Sequence, residues 1–359
     1  MLRIVYKRVA GLDVHKKTVV ATRMRVTEDD RIEWETKTFG TTTPDLLELL
    51  DWLYEWDLTH VAMESTGDYW KPVFNVLEDT FEIWLVNAQH VKHVSGRKTD
   101  VKDSEWLAEL MLHGLLKPSF IPPKPQRALR EMTRYRTTLV QERTRIVNRV
   151  QKLLEGANIK LASVATDIMG ASGRAMLAEI ATGQTDAELL ADLARGRMRN
   201  KIPELEKALT GIVQEHHRFV LAQQLDHIDY LDEKIETISA EIGKQLESMS
   251  WPDEPSQPGV SESAEEGTGA ADESELPLTW DAAVALLDTI PGIDRRIAEV
   301  ILAEMGLDMS QFPTADHLAS WAVLSLIKSY RAMSHKVVPV RLLASVISRH
   351  ADGEKGKAS

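Results

Sequence analysis

Four acidic side chains carry the chemistry this sequence can be read for. Asp13 lies near the end of the apolar run RVAGLDV, Glu64 closes HVAME, and Asp100 and Asp103 stand three residues apart at the head of a stretch of helical periodicity, DVKDSEWLAELML (100–112). Taken singly, an Asp after a strand is ordinarily a turn or cap residue. Four carboxylates gathered at one place would repel one another unless cations neutralised them. Because the chain has no cysteine, oxygen and imidazole are the available ligands and the expected ion is hard, Mg2+ or Mn2+. Two such ions about 3.5–4 Å apart can polarise a scissile phosphate and stabilise both the attacking and the leaving oxygen. His15, Lys16, Arg97, Lys98 and Lys102 lie in the same stretches and could hold phosphates beside the ions.

The elements that would position these acids can be read from the periodicity. RVAGLDV (8–14), TVVATRMRV (18–26) and IEWETKTF (32–39) are short, rich in Val and Thr and separated by brief polar turns, which predicts a three-strand meander. Thr43 as N-cap and Pro44 in the first turn then open a helix, DLLELLDWLYEW. HVAMES (60–65) and FEIWLVN (81–87) read as two buried strands with the helix DYWKPVFNVLED between them. Strand, strand, strand, helix, strand, helix, strand is the order of a ribonuclease-H-like α/β domain, expected over residues 1–120. Asp13 and Glu64 then stand at strand ends, and Asp100 and Asp103 stand one turn apart on a helix face.

At 359 residues the chain exceeds one ordinary core. Its 43% hydrophobic and 27% charged residues are those of a globular protein, and no apolar run approaches the length of a membrane span. The opening MLRIVYKRVAGLDVH is interrupted by Lys7, Arg8 and Asp13, so neither a secretory nor a transit signal is read there and a cytoplasmic location is expected. A net charge of −12 argues against nucleic acid as a partner, but the charge is segregated. Residues 124–152 hold nine Lys or Arg against Glu131 and Glu142, a local net of +7. Such an excess costs self-repulsion unless a polyanion is bound, so Arg127, Arg130, Arg134, Arg143, Arg145 and Arg149 are candidate nucleic-acid contacts.

Residues 121–249 read as helical. A basic helix over about 124–155 carries Leu129, Met132, Leu139, Ile146, Val150 and Leu153 on a near-heptad seam. A second helix over 203–248 places Ile212, Phe219, Leu225, Ile228, Leu231, Ile235, Ile238 and Ile242 at spacings that suit a coiled coil, which predicts dimerisation. Residues 250–277, with eight acidic residues and no basic ones, have the composition of a disordered acidic linker. A small helical C-terminal domain is expected over 278–322. Within it LLDTIPGIDRRIAEVILAEMG (286–306) resembles a helix-hairpin-helix: Gly292 permits the turn, the following helix can aim N–H groups at a phosphate, and Arg295 and Arg296 add charge.

GLDVHK (11–16), MESTGDYW (63–70) and GRKTDVKDSEWLAELMLHG (96–114) resemble the three acidic motifs of the DEDD transposases of bacterial insertion sequences, and the likeness runs from about residue 8 to residue 322. Their catalytic domain resembles the RuvC Holliday-junction resolvase. The resemblance implies that Asp13, Glu64, Asp100 and Asp103 are the metal-binding tetrad and that the activity is metal-dependent cleavage and rejoining of DNA. It further implies a structured guide RNA from the element as partner and assembly into dimers or tetramers. FPTADHLASWA (312–322) still follows the family. There the family runs through a Gly-Leu-Cys-Pro-Gly-like turn into an Asn-Glu-Ser-Ala-Gly-Lys-Arg-like motif whose serine is implied to attack DNA.

Here residues 323–359 form an aberrant tail. Counting from Trp321, the family serine falls on Arg331, and Ser325, Ser329 and Ser334 lack its neighbours, so the nucleophilic serine is unassigned. The expectation is that a frameshift near codon 323 has replaced the family ending, so that this is a decayed or truncated copy. Two other readings stand beside an active recombinase: a RuvC-like structure-specific endonuclease, which needs only the acidic domain, metal and a dimer, and a non-catalytic remnant that still binds nucleic acid.

Overall fold

The computed structural model describes residues 3–64, 67–87, 103–249 and 279–308. They fall into two compact units, one ending at Ile121 and the other beginning at Pro122.

The first unit is built on a five-stranded sheet. β1 (Arg8–Val14), β2 (Thr18–Val26) and β3 (Ile32–Gly40) form the expected antiparallel meander. α1 (Thr43–Tyr54) follows, then β4 (His60–Glu64), α2 (Trp70–Leu77) and β5 (Glu82–Val86), with β4 parallel to both β1 and β5. The strand order is β3-β2-β1-β4-β5. The cap of α1 falls on Thr42, one residue before the one read from the sequence, and the Thr42 N–H donates to the Asp45 carboxylate at 3.3 Å.

β1 and β4 read as nearly continuous apolar runs because both of their faces are covered. On one face Leu12, Val61 and Met63 pack with Leu49 and Leu53 of α1 and Leu77 of α2. On the other, Val9, Ala62 and Val86 pack with Leu107, Ala108 and Met111 of α3 (Asp103–Leu112). The edge strand β3 is exposed along most of its length, which is why its sequence, IEWETKTFG, is dominated by polar residues.

The second unit is helical. α4 (Lys124–Gly156) is followed by α5 (Leu161–Val164), α6 (Ala171–Thr182), α7 (Ala187–Ala191), a 3-10 turn (Gly196–Lys201), α8 (Ile202–Leu209), α9 (Glu215–Ser248), α10 (Trp280–Asp288) and α11 (Arg295–Met305). α4 and α9 lie antiparallel, since Arg143 meets Asp232 while Arg136 meets Ser239. Their seam, Leu139, Ile146, Val150 and Leu154 against Leu221, Leu225, Ile228, Leu231 and Ile235, shares a core with Met176, Leu177 and Ile180 of α6.

The helix boundaries differ from those expected. The single helix predicted over 203–248 is broken between Leu209 and Glu215. At the break Ile212 N–H donates to the Ala157 carbonyl at 2.8 Å, and a Cβ on Gly211 would lie 2.6 Å from that same oxygen, so the chain bends tightly around the end of α4. Ile212 and Phe219 consequently leave the seam and are 65% and 67% exposed. The apolar residues at heptad-like spacing are packed within the chain against α4, so the step from that spacing to a dimer does not follow from them.

The helices expected to open a separate C-terminal domain at 278 instead share a core with the long pair. Leu129, Ile242 and Leu246 pack with Trp280, Val284, Leu287, Ile301 and Leu302. The linker at 250–277 and the tail at 323–359 lie outside the described residues.

Candidate active site

Parallel pairing sets Leu12 beside Met63, so the next residues, Asp13 and Glu64, stand side by side at the C-terminal ends of neighbouring strands. In the same register Gly11 stands beside Ala62. Because side chains alternate along a strand, Gly11 and Asp13 share a face, as do Ala62 and Glu64. This is the face that α3 covers.

α3 runs back along β1. Its C-terminal carbonyl, on Leu112, accepts from Val5 and Tyr6 N–H before the strand starts, and its N-terminus meets the strand's far end. The approach is backbone to backbone: a Cβ on Gly11 would stand 2.2 Å from the Ser104 carbonyl oxygen and 2.4 Å from the Ala108 nitrogen. Asp103, in the first turn of α3, is thereby carried to the end of the sheet that bears Asp13 and Glu64. An acidic residue there also suits the positive end of the helix dipole.

Asp13 and Glu64 are half-buried and Asp103 is exposed. Asp13 Oδ2 is 3.0 Å from His15 Nε2, and Glu64 and Asp103 have interactions of their own within the chain. The donor set is all carboxylate oxygen, which fits a hard divalent cation. Among the described residues no three His, Cys, Asp or Glu side chains are drawn together closely enough to hold an ion by themselves. The fourth acid, Asp100, lies outside those residues, as do Arg97, Lys98 and Lys102. Lys16 is exposed beside the site, and its carbonyl accepts from the Thr41 hydroxyl at 3.1 Å.

Sequence reading passed over the residues beneath the acids. Ser104 and Thr22 are both fully buried, with their hydroxyl oxygens 2.9 Å apart. The signal was present in two forms: a glycine in the middle of a buried strand, and a threonine on the helix-covered face of the next one.

In the second unit most candidate cations have carboxylate partners in the chain. Arg134 makes a two-pronged contact with Glu304 at 2.7 and 2.8 Å, and Arg130 donates to the Ala303 carbonyl at 3.0 Å. Burial holds the pKa of Arg130 below its ordinary value against the pull of Glu304. Arg136 meets Glu299 at 2.6 Å, with both side chains under 5% exposed. Arg143 binds Asp232 with both ends of its fork, and that hydrogen bond raises its pKa.

The polyanion that the basic helix was expected to require is therefore supplied in part by α9 and α11. Arg127 donates to the Pro122 carbonyl at 2.9 Å. Arg145 is exposed, 3.9 Å from Glu142. Arg149 and Lys152 are exposed and line a cleft of 360 Å3 with Leu153, Gly156, His217 and Gln224. Gln224 Oε1 is buried there without a hydrogen-bond partner.

The hairpin between α10 and α11 contains Gly292 at φ 91°, a value that favours glycine, with both Pro291 and Gly292 exposed. The N–H groups that were expected to face a phosphate are partly taken: the Asp294 carboxylate caps α11 by accepting from Ile297 N–H at 2.8 Å. Arg295 is engaged as well, 2.8 Å from Asp281 and 3.0 Å from Glu299, and its hydrogen bond to Asp281 raises its pKa. Arg296 is exposed.

The family pattern described as DEDD_Tnp_IS110, a transposase, matches residues 10–159. A second pattern, described as Transposase IS116/IS110/IS902 family, matches residues 284–330. The first takes in Asp13, Glu64, Asp100 and Asp103 together with α4. The second begins in α10 and continues past residue 322, where the likeness read from the sequence ends. Among solved structures, T. thermophilus RuvC in complex with Holliday junction substrate is similar at 13% identity over 31% of this chain and 99% of that chain, with a TM-score of 0.24. Comparison with curated proteins finds no match.

Proposed function

The chain belongs to the DEDD transposases of the IS116/IS110/IS902 family, DNA-recombining enzymes of insertion sequences, and from this premise we propose that Asp13, Glu64 and Asp103, completed by Asp100, form the metal-binding centre at which it cuts and rejoins DNA. The observation that carries the proposal is the meeting of three chain segments. The ends of β1 and β4 are neighbours in the sheet and α3 lies over β1 on the same face, and each of these segments carries one of the named acids. The strand order, with an antiparallel meander followed by two parallel strands, supports a ribonuclease-H-like reading of this unit.

Mg2+ or Mn2+ held there would polarise the scissile phosphate and lower the cost of the charge that develops on its oxygens. Asp13 is oriented by His15, which is near enough to hold the carboxylate in one rotamer. Lys16 stands beside the acids as a phosphate contact, with Arg97, Lys98 and Lys102 in the same motifs. In the helical unit Arg145, Arg149 and Lys152 are the exposed cations best placed to follow a nucleic-acid backbone, and the exposed Pro-Gly turn with Arg296 offers a second, sequence-independent contact. A structured guide RNA and assembly into dimers or tetramers complete the proposal as the family resemblance implies them; the α4–α9 seam is not their basis.

The test is reaction of a supercoiled plasmid carrying the element's junction, with the element's RNA and Mg2+. Joined product from the wild type should be lost in Asp13→Asn, Glu64→Gln and Asp100→Asn, by about 10²-fold or more, as for removal of a group acting in the transition state. Cleavage without joining would instead favour the resolvase-type endonuclease, and binding with no cleavage the non-catalytic remnant. Undiminished joining by Asp13→Asn would sink the assignment. Since the family match continues to residue 330, a change of reading frame is to be sought beyond that point rather than at codon 323. Recovery of an Asn-Glu-Ser-like stretch in another frame would support it, and absence from both other frames would remove it.

A further inference from the structure

Directly beneath the acids, a row of hydroxyls crosses the sheet. Thr36 of β3 is the partner of Thr22 of β2, and Thr22 is the partner of Gly11 of β1, so all three occupy one line on the α3 face. Ser104 Oγ is 2.9 Å from Thr22 Oγ1, Thr22 Oγ1 is 2.9 Å from Thr36 Oγ1, and the Thr36 hydroxyl donates to Glu105 Oε1 at 3.3 Å.

The direction of the row follows from proton count. An ionised carboxylate can only accept, so Thr36 spends its single proton on Glu105. Thr22 must then donate to Thr36, and Ser104 to Thr22. The row starts and ends in the first turn of α3, with every proton assigned and a charge at its terminus to strengthen it.

Polar groups at this place need a reason, since the rest of the α3 face is apolar: Leu107, Ala108, Leu110 and Met111 are all buried. Hydrogen bonds add a fixed direction and a narrow range of length to what the apolar contact alone defines. Gly11 sets the height of α3 over the sheet by letting backbone touch backbone, and the hydroxyl row sets its position along and across the strands. The residue so held is Ser104, whose neighbour in the first turn is Asp103.

We propose that Ser104, Thr22 and Thr36 are positioning residues of the metal centre: by pinning the first turn of α3 to β2 and β3 they hold Asp103 at the end of the sheet that bears Asp13 and Glu64. This rests on the reading of those acids as metal ligands.

The test is Mn2+ binding by the full chain, followed as loss of the free-ion signal in electron paramagnetic resonance, with thermal melting recorded for each variant. Ser104→Ala and Thr22→Val should weaken Mn2+ binding about 10- to 100-fold, the range found when a group orienting a ligand is removed. Thr22→Ser, which restores the hydroxyl without the methyl, should bind as wild type does. Asp13→Asn is the control for the site itself. Mn2+ binding unchanged in Ser104→Ala and Thr22→Val but weakened in Asp13→Asn would overturn the positioning role while leaving the site intact. Equal binding by wild type and Asp13→Asn, strong or weak, would overturn the site and this proposal with it. Weak binding shared by Thr22→Val and Thr22→Ser would show that packing, not the hydroxyl, is what Thr22 contributes.

Discussion

Gly11 illustrates how much a single residue decides in this chain. Any side chain there would be driven into the backbone of α3 at Ser104 and Ala108, atoms that cannot rotate away. Gly11→Ala should therefore destabilise the first unit by about 1–3 kcal/mol, the ordinary cost of overpacking a filled interior, read as a lowered urea midpoint. Because the same shift lifts Asp103 away from Asp13, Mn2+ binding should fall as well. A variant with wild-type stability would show that α3 does not need this close approach. The glycine was legible in the motif GLDVHK. Its reason was not, because the atoms it makes room for come from more than 90 residues further along the chain.

At the scale of elements, α4 is held twice. Toward its middle and end it pairs with α9 through an apolar seam, and near its start it is clamped to α11 by arginine forks. The clamp includes the buried pair Arg136–Glu299. Removing one partner strands the other charge without water, so Glu299→Ala should cost about 3–5 kcal/mol in chemical denaturation. Replacing both with Met and Leu of similar volume should come out near neutral, and a double variant as damaged as the single one would contradict the argument. For the seam, Ile228→Ala should lower stability by about 2–5 kcal/mol yet leave the sedimentation behaviour of the native protein unchanged, since the partner helix is in the same chain. Dissociation of an assembly by this substitution would place the seam between copies. Heptad spacing reports a helix that needs a partner, and it says nothing about which chain the partner comes from.

For the molecule as a whole, the net charge of −12 and the +7 of residues 124–152 are reconciled by internal pairing. Arg130, Arg134, Arg136 and Arg143 meet acids of α9 and α11, while Arg149 and Lys152 border an open cleft. Binding to DNA should therefore depend on the second group. Arg149→Ala with Lys152→Ala should weaken binding to any sequence and flatten the salt dependence by about 2 in slope, close to 0.9 for each lost phosphate contact. Arg143→Ala should leave that slope as it is and lower stability instead. The opposite pattern would mean that the ion pairs open for nucleic acid. Among the described residues no helix is long and apolar enough to cross a membrane.

Much of the first unit was set by the sequence by itself. Strand alternation, apolar runs and a Thr-Pro helix start are local signals, and they specified the element order and put Asp13 and Glu64 at strand ends. The three acidic motifs pointed to the family, because their residues can be read without reference to what lies between them. What the tertiary structure decided is everything that depends on a partner distant in sequence. It chose β1 and β4 as parallel neighbours, which sets Asp13 beside Glu64. It laid α3 back over Gly11, joined Ser104 to Thr22, broke the second long helix at Gly211, and supplied acids for the arginines of α4. The physical reason is the same in each case: periodicity records that a face or a charge will be satisfied, and long-range packing determines by what.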